Sequence, residues 1–158
     1  MDWQPQLSVV VTTGYAMVLG GVIGFEREMK NRPAGFRTHM LVAGAAALLL
    51  GIGLLVLADP SVPHLKRIQI DPLRLMEAVV AGVAFIGAGT IFGARGRDTV
   101  AGITTAASLL MVAVIGAAVG LRYHWLALAA TVLTLLVLTT LNVLERLLLR
   151  KAQSSSGP

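Results

Sequence analysis

The chain contains no cysteine, which excludes disulfides, thiolate metal sites and cysteine nucleophiles together. Charge is scarce as well: 13% of its 158 residues are Asp, Glu, Lys or Arg, against about 25% in soluble domains. The opening Met1-Asp2-Trp3-Gln4-Pro5-Gln6 has no basic segment, so a cleavable signal peptide is not expected. No nucleophile–base pair, phosphate loop or metal motif is present, and His39 and His64 lack a second ligand at metal spacing. The Gly-Ala-Gly run at 87–89 follows no strand of a βαβ unit, so a dinucleotide site is rejected. No enzyme activity is expected.

What is abundant is apolar: 56% of residues are hydrophobic and the mean hydropathy is +0.78. Six Pro and 17 Gly interrupt long apolar runs and do not signal disorder. The net charge of +5 fits a nucleic-acid binder or a membrane protein with basic loops. The basic residues are scattered between apolar runs, which favours the bilayer as partner and gives no reason to expect nucleic acid.

The runs sit at about 7–25, 40–57, 72–93, 102–121 and 125–144, each close to the roughly 20 residues that span a bilayer. They predict an all-α integral membrane protein with five transmembrane helices in one domain over 1–150. Residues 151–158 are read as a disordered tail, either a linker or a protease scar. Asp71 before Pro72 marks a helix start, a capping carboxylate followed by proline at the first helical position. Asp71–Gly120 is dense in Gly, Ala, Ser and Thr, which let helix backbones approach closely, and is expected to form the packed centre. Gly20, Gly24, Gly82, Gly87, Gly89, Gly93, Gly116 and Gly120 are the expected close-packing positions. The Leu-rich fifth helix is expected at the periphery. Small residues in excess of these needs suggest a homodimer.

Basic residues concentrate in the first and third loops and after the fifth helix, so the N-terminus is expected outside and the C-terminus in the cytoplasm. Trp3, Tyr123 and Trp125 then share the outer interface. Shifting the chain by 67 residues aligns Ala34-Gly35 with Ala101-Gly102, Thr38 with Thr105, and Gly20 with Gly87. Helices 1–2 and 3–4 therefore read as a parallel repeat about a pseudo-twofold axis.

Five stretches together resemble the MgtC/SapB family: Gly24-Phe25-Glu26-Arg27-Glu28, 34–42, Asp71-Pro72 with Arg74, 82–91 and 102–109. The resemblance covers about residues 7–148. It implies a bacterial inner-membrane protein with five helices, linked to magnesium limitation and in some members to survival inside host cells. Modulation of the F-type ATP synthase is among the activities proposed for the family. Family members often carry a C-terminal cytoplasmic domain that this sequence does not continue into. A basic residue commonly precedes the Gly102 motif where Ala101 stands, and Thr104 and Met111 replace the Asn and Cys of the virulence members.

Three groups of polar residues are candidates for chemistry. The cytoplasmic cluster comprises Glu26, Arg27, Glu28, Arg37, Thr38, Arg95, Arg97, Asp98, Thr104 and Thr105. It reads as a structural clasp with Arg37 pairing to Glu26, as an anion-attracting vestibule at two helix N-termini, or as solvated interface charge with the threonines capping free amides. The outer cluster is Asp71, Arg74 and Glu77, spaced to share one side of a helix. No cofactor is expected beyond Mg2+, for which Asp59 and Glu77 are weak ligand candidates. The functional expectation is a membrane protein acting in adaptation to low magnesium or related stress by modulating a membrane partner. The alternative is a small ion or solute transporter or channel at the interface of the two hairpins.

Overall fold

The computed structural model describes residues 3–58, 71–93 and 99–154. Among the described residues five helices follow one another: α1 (Trp3–Met29), α2 (Phe36–Ala58), α3 (Pro72–Gly93), α4 (Thr99–Gly120) and α5 (His124–Ser154). No strand occurs among the described residues. In α1, α2, the Pro72–Phe92 part of α3 and the Gly102–Gly120 part of α4, the chain is long and apolar enough to cross a membrane. The apolar part of α5, His124–Thr140, is shorter. This is an all-α architecture of membrane type.

The helices outrun their apolar runs. Glu26–Met29 and Phe36–His39 are helical where the sequence reads as a polar connection, and 151–154 continue α5 where a tail is expected. Hydropathy marks where a helix leaves lipid, and charged side chains continue a helix without penalty once they reach water. Asp71 does start α3: its Oδ1 accepts the Leu73 amide at 2.9 Å.

Two turns close with a non-glycine residue in the left-handed region. Asn31 (φ 51°) ends α1 and Arg122 (φ 68°) ends α4. After α1 the Arg32 amide returns to the Arg27 carbonyl at 3.0 Å, and after α4 the Tyr123 amide returns to Ala118 at 2.8 Å. This is the pattern that satisfies carbonyls at helix ends. The first of these turns folds Arg32 back over the last turn of α1.

α4 is the central helix, in contact with all four others. The centre of the sequence is therefore only half in the centre of the fold. Within its apolar window α4 is 56% buried, whereas α3 is 17% buried. α3 packs on α4 and lightly on α2, which leaves Phe85 and Phe92 outside. The core is built from α1, α2 and α4, with Ala16, Leu19, Ile23, Ala43, Ala47, Leu109, Val112 and Ile115 in one cluster.

Glycine sets the spacing of these three helices. A methyl group on Gly20 would lie 2.5 Å from the His39 carbonyl oxygen, and one on Gly24 2.8 Å from the Phe36 Cα. One on Gly116 would collide with the Ala43 carbonyl, and one on Gly120 would stand 2.7 Å from that of Ala47. Gly87 meets Ala106. Gly82 and Gly89 differ from the expectation, because open space surrounds both; small size permits close packing but does not supply a neighbour. Gly93 ends α3. Gly20 meets His39 as Gly87 meets Ala106, and Gly24 meets Gly35 as Ile91 meets Gly102, both at the same 67-residue offset.

α5 runs parallel to α1. The Tyr15 and His124 rings meet edge-on with centroids 5.6 Å apart, and Lys30 reaches the Leu138 carbonyl. The α4–α5 turn thus meets α1 twelve residues in from Trp3, roughly 18 Å along a helix rising 1.5 Å per residue. Trp3 accordingly does not share a level with Tyr123 and Trp125, which sit at that turn.

Candidate functional site

The last buried turn of α1, the first turns of α2 and the second turn of α4 converge at one end of the bundle. Along α1 the buried positions Ala16, Gly20, Ile23 and Arg27 recur every three or four residues, the period of one helix face. That face carries Arg27 into the interior, where it is 1% exposed. Its Nη2 donates to the Thr105 hydroxyl at 3.5 Å, a long bond, and its Nε is buried without a hydrogen-bond partner. Removing a guanidinium from water costs several kcal/mol unless its donors are met. Here they are met only in part.

Beside it lies His39, fully buried. Its Nδ1 donates to the Gly35 carbonyl at 2.9 Å, and its Nε2 is 3.1 Å from the Ser108 hydroxyl. That hydroxyl is also 2.8 Å from the Thr105 carbonyl. Ser108 has one proton for two acceptors, the Nε2 of a neutral imidazole and the Thr105 carbonyl. Arg27, His39, Thr105 and Ser108 thus join α1, α2 and α4 through polar groups inside an apolar core.

Around this interior the charges are arranged differently from the expectation. Glu26 forms its ion pair with Lys30, one turn on, and Lys30 also donates to the Leu138 carbonyl at 3.0 Å. Glu28 is exposed and its Oε2 accepts the Phe36 amide at 2.8 Å, capping α2. Arg37 is exposed, and no ion pair joins it to Glu26 among the described residues. Arg37 stands two residues before His39, about 200° round a helix of 3.6 residues per turn, so it points away when His39 points in. Thr38 is half-buried. Arg95, Arg97 and Asp98 lie outside the described residues, as does Asp59.

At the opposite end Asp71, Arg74 and Glu77 are all exposed, Asp71 as the cap of α3. Among the described residues no group of three His, Asp or Glu side chains gathers to hold a metal.

Thr104 is half-buried and lines a cleft of about 270 Å3 between α4 and α5, with Ala107, Ser108, Met111, Leu133 and Leu138 among its other walls. Its walls are almost wholly hydrocarbon, and Met111 and Leu133 are largely exposed on the bundle surface, so it opens sideways.

The MgtC family model matches residues 14–147. The chain belongs to the MgtC family. Among curated MgtC relatives it is 39% identical over 136 residues to the putative magnesium transporter YhiD of Escherichia coli (strain K12), covering 86% of this chain and 61% of that protein. It is 34% identical over 136 residues to protein SapB of Bacillus subtilis (strain 168), covering 86% of this chain and 57% of SapB. It is 36% identical over 148 residues to protein MgtC of Brucella abortus (strain 2308), covering 94% and 57%. The chain thus spans about three fifths of the length of these relatives. No solved structure matches it.

The MgtC stretch Gly24–Glu28 contributes Arg27 to the interior, the 34–42 stretch contributes His39, and the 102–109 stretch contributes Thr105 and Ser108. Three of the motifs that carry the family resemblance therefore meet at one place. His39, Ser108 and Lys30 were not singled out as interior or bridging residues by the sequence. The phase of Gly20 and Gly24 is the signal that would place Arg27 inside.

Proposed function

We propose that this MgtC-family chain is a bacterial inner-membrane protein that acts in adaptation to low magnesium or a related stress by modulating a membrane partner. The carrying observation is the charge at one end of the interior: among the described residues Arg27 is the one ionic residue buried as a whole, and the Glu26 carboxylate, whose oxygens are buried beside it, is paired with Lys30. A divalent cation 8 Å from Arg27 would be repelled by that charge by about 4 kcal/mol at an effective dielectric constant of 20, and Lys30 offsets the attraction of Glu26. That barrier suits a fixed, closed interior better than a magnesium path.

The distribution of Lys and Arg supports a reading with the N-terminus outside and the C-terminus in the cytoplasm, and with it the Arg27 end of the bundle at the cytoplasmic face. The recurrence of helix contacts at a 67-residue offset supports the reading of two parallel hairpin repeats. An F-type ATP synthase is a candidate partner through the family resemblance. A second reading, transport of magnesium, is favoured by the printed name of YhiD.

The test is growth of a strain lacking its own MgtC-type proteins, in limiting magnesium, with this chain supplied from a plasmid. Rescue by the wild type and co-purification of a membrane complex support modulation. Rescue accompanied by faster magnesium uptake, with no co-purifying partner, supports the second reading.

A further inference from the structure

At the end of α1 the positive charge is not fully matched. Arg27, Lys30, Arg32 and Arg37 face Glu26 and Glu28 over the same twelve residues. Glu26 is committed to Lys30 and Glu28 to the Phe36 amide. The Nε atoms of Arg27 and Arg32 are buried without a hydrogen-bond partner, as are both carboxylate oxygens of Glu26, so one carboxylate stands among three cations at this turn. The returning turn that bonds the Arg32 amide to the Arg27 carbonyl brings the two guanidinium-bearing residues together. Buried donors without acceptors are costly, about 1–3 kcal/mol each and more for charged groups, and an arginine fork fits the oxygens of a phosphate.

The cleft between α4 and α5 begins beside this cluster. Its near end is formed by Thr104 and Leu138, and the Leu138 carbonyl holds the Lys30 ammonium at 3.0 Å. Its far end is formed by Met111 and Leu133, about one to two helical turns deeper. Polarity therefore falls along the cleft, from an ammonium and a hydroxyl at the mouth to hydrocarbon within. The walls are open to the side of the bundle, where lipid reaches a membrane-spanning chain.

We propose that this cleft is a binding site for an anionic phospholipid. One acyl chain lies along Ala107, Met111 and Leu133, and the phosphate sits at the mouth beside Lys30, with Arg32 and Arg27 supplying positive charge from the turn. The site does not depend on what the chain modulates or transports. It is specified by two features at once, an apolar slot and a cationic mouth, and an anionic lipid is the ligand that meets both. Glu26 opposes the ligand's charge and sets the affinity.

The experiment uses the purified full chain in nanodiscs with spin-labelled phosphatidylglycerol or phosphatidylcholine, reading the immobilised fraction by electron paramagnetic resonance. Phosphatidylglycerol is expected to be retained preferentially. Each positive charge removed near the surface is worth about 1 kcal/mol, or about fivefold in affinity. Lys30→Gln and Arg32→Gln are therefore each expected to lower the preference about fivefold, and Glu26→Gln to raise it by a similar factor. Ala107→Trp fills the slot and is expected to abolish immobilisation while helicity and particle size stay unchanged. Equal retention of the two lipids overturns the proposal, as does a preference that Glu26→Gln and Ala107→Trp leave unaltered. Displacement of the labelled lipid by millimolar inorganic phosphate reassigns the mouth to free phosphate and also overturns it. A particle holding two copies of the chain with no immobilised lipid overturns it in favour of a second copy in the cleft.

Discussion

Arg27 and Thr105 meet inside the bundle at 3.5 Å, a guanidinium on α1 facing a hydroxyl on α4, and both side chains are closed off from solvent. A contact this long returns little of the guanidinium's desolvation cost. Replacing a buried ionic group by an apolar one of similar volume is often neutral or stabilising by about 1–4 kcal/mol. Arg27→Met is thus expected to keep or raise the unfolding temperature in detergent while abolishing rescue in limiting magnesium. Loss of both stability and rescue would make Arg27 a structural residue only.

His39 and Ser108 are a different case: the Ser108 hydroxyl is 3.1 Å from His39 Nε2 and shares its one proton between that nitrogen and the Thr105 carbonyl. Ser108→Ala leaves His39 Nε2 without its partner, and His39→Ala leaves a cavity between α1, α2 and α4. Each is expected to cost about 1–3 kcal/mol, and a double-mutant cycle is expected to show coupling of about 0.5–3 kcal/mol. Thermal or denaturant unfolding of the three variants in one detergent measures it, and strictly additive losses would refute the contact.

The glycines separate into two kinds. Gly20→Ala forces a methyl group to 2.5 Å from the His39 carbonyl oxygen, so α1 and α2 must move apart and stability is expected to fall by about 1–3 kcal/mol. Gly89→Ala meets nothing and is expected to stabilise α3 by up to about 1 kcal/mol through helix propensity. Unfolding of both variants gives the comparison. If Gly89→Ala is instead as damaging as Gly20→Ala, the open face of α3 is covered by another chain.

The last structural prediction concerns the end of α1. Glu26→Gln frees Lys30 from its ion pair but leaves its bond to Leu138. The loss in stability is expected to exceed the roughly 0.3–0.5 kcal/mol of an exposed i,i+4 pair, because both carboxylate oxygens of Glu26 are buried and breaking a buried pair at one partner is costly. Unfolding of this variant at low and high salt checks it.

Much of the architecture was legible from the sequence, because apolar runs of bilayer length and the Asp71-Pro72 start carry their meaning locally. The interior of the site was legible only in part. Gly20 and Gly24 mark the packed face of α1, and continuing their phase by three residues reaches Arg27 rather than Glu26. The pairing of Arg37 with Glu26 ignored that phase. His39 and Ser108 are 69 residues apart in the chain, and no local pattern announces that they meet. The density of small residues in α3 suggested a packed helix, but composition cannot say which side a neighbour occupies, and α4 covers only one.

The central claim is that the bundle holds a fixed interior cation and does not conduct magnesium. Its most direct test is magnesium entry into proteoliposomes containing only this chain, read with an internal magnesium-sensitive dye and calibrated with an ionophore in the same vesicles. The account predicts entry no faster than in empty liposomes, for the wild type and for Arg27→Met alike. Saturable magnesium entry in the wild type would contradict it.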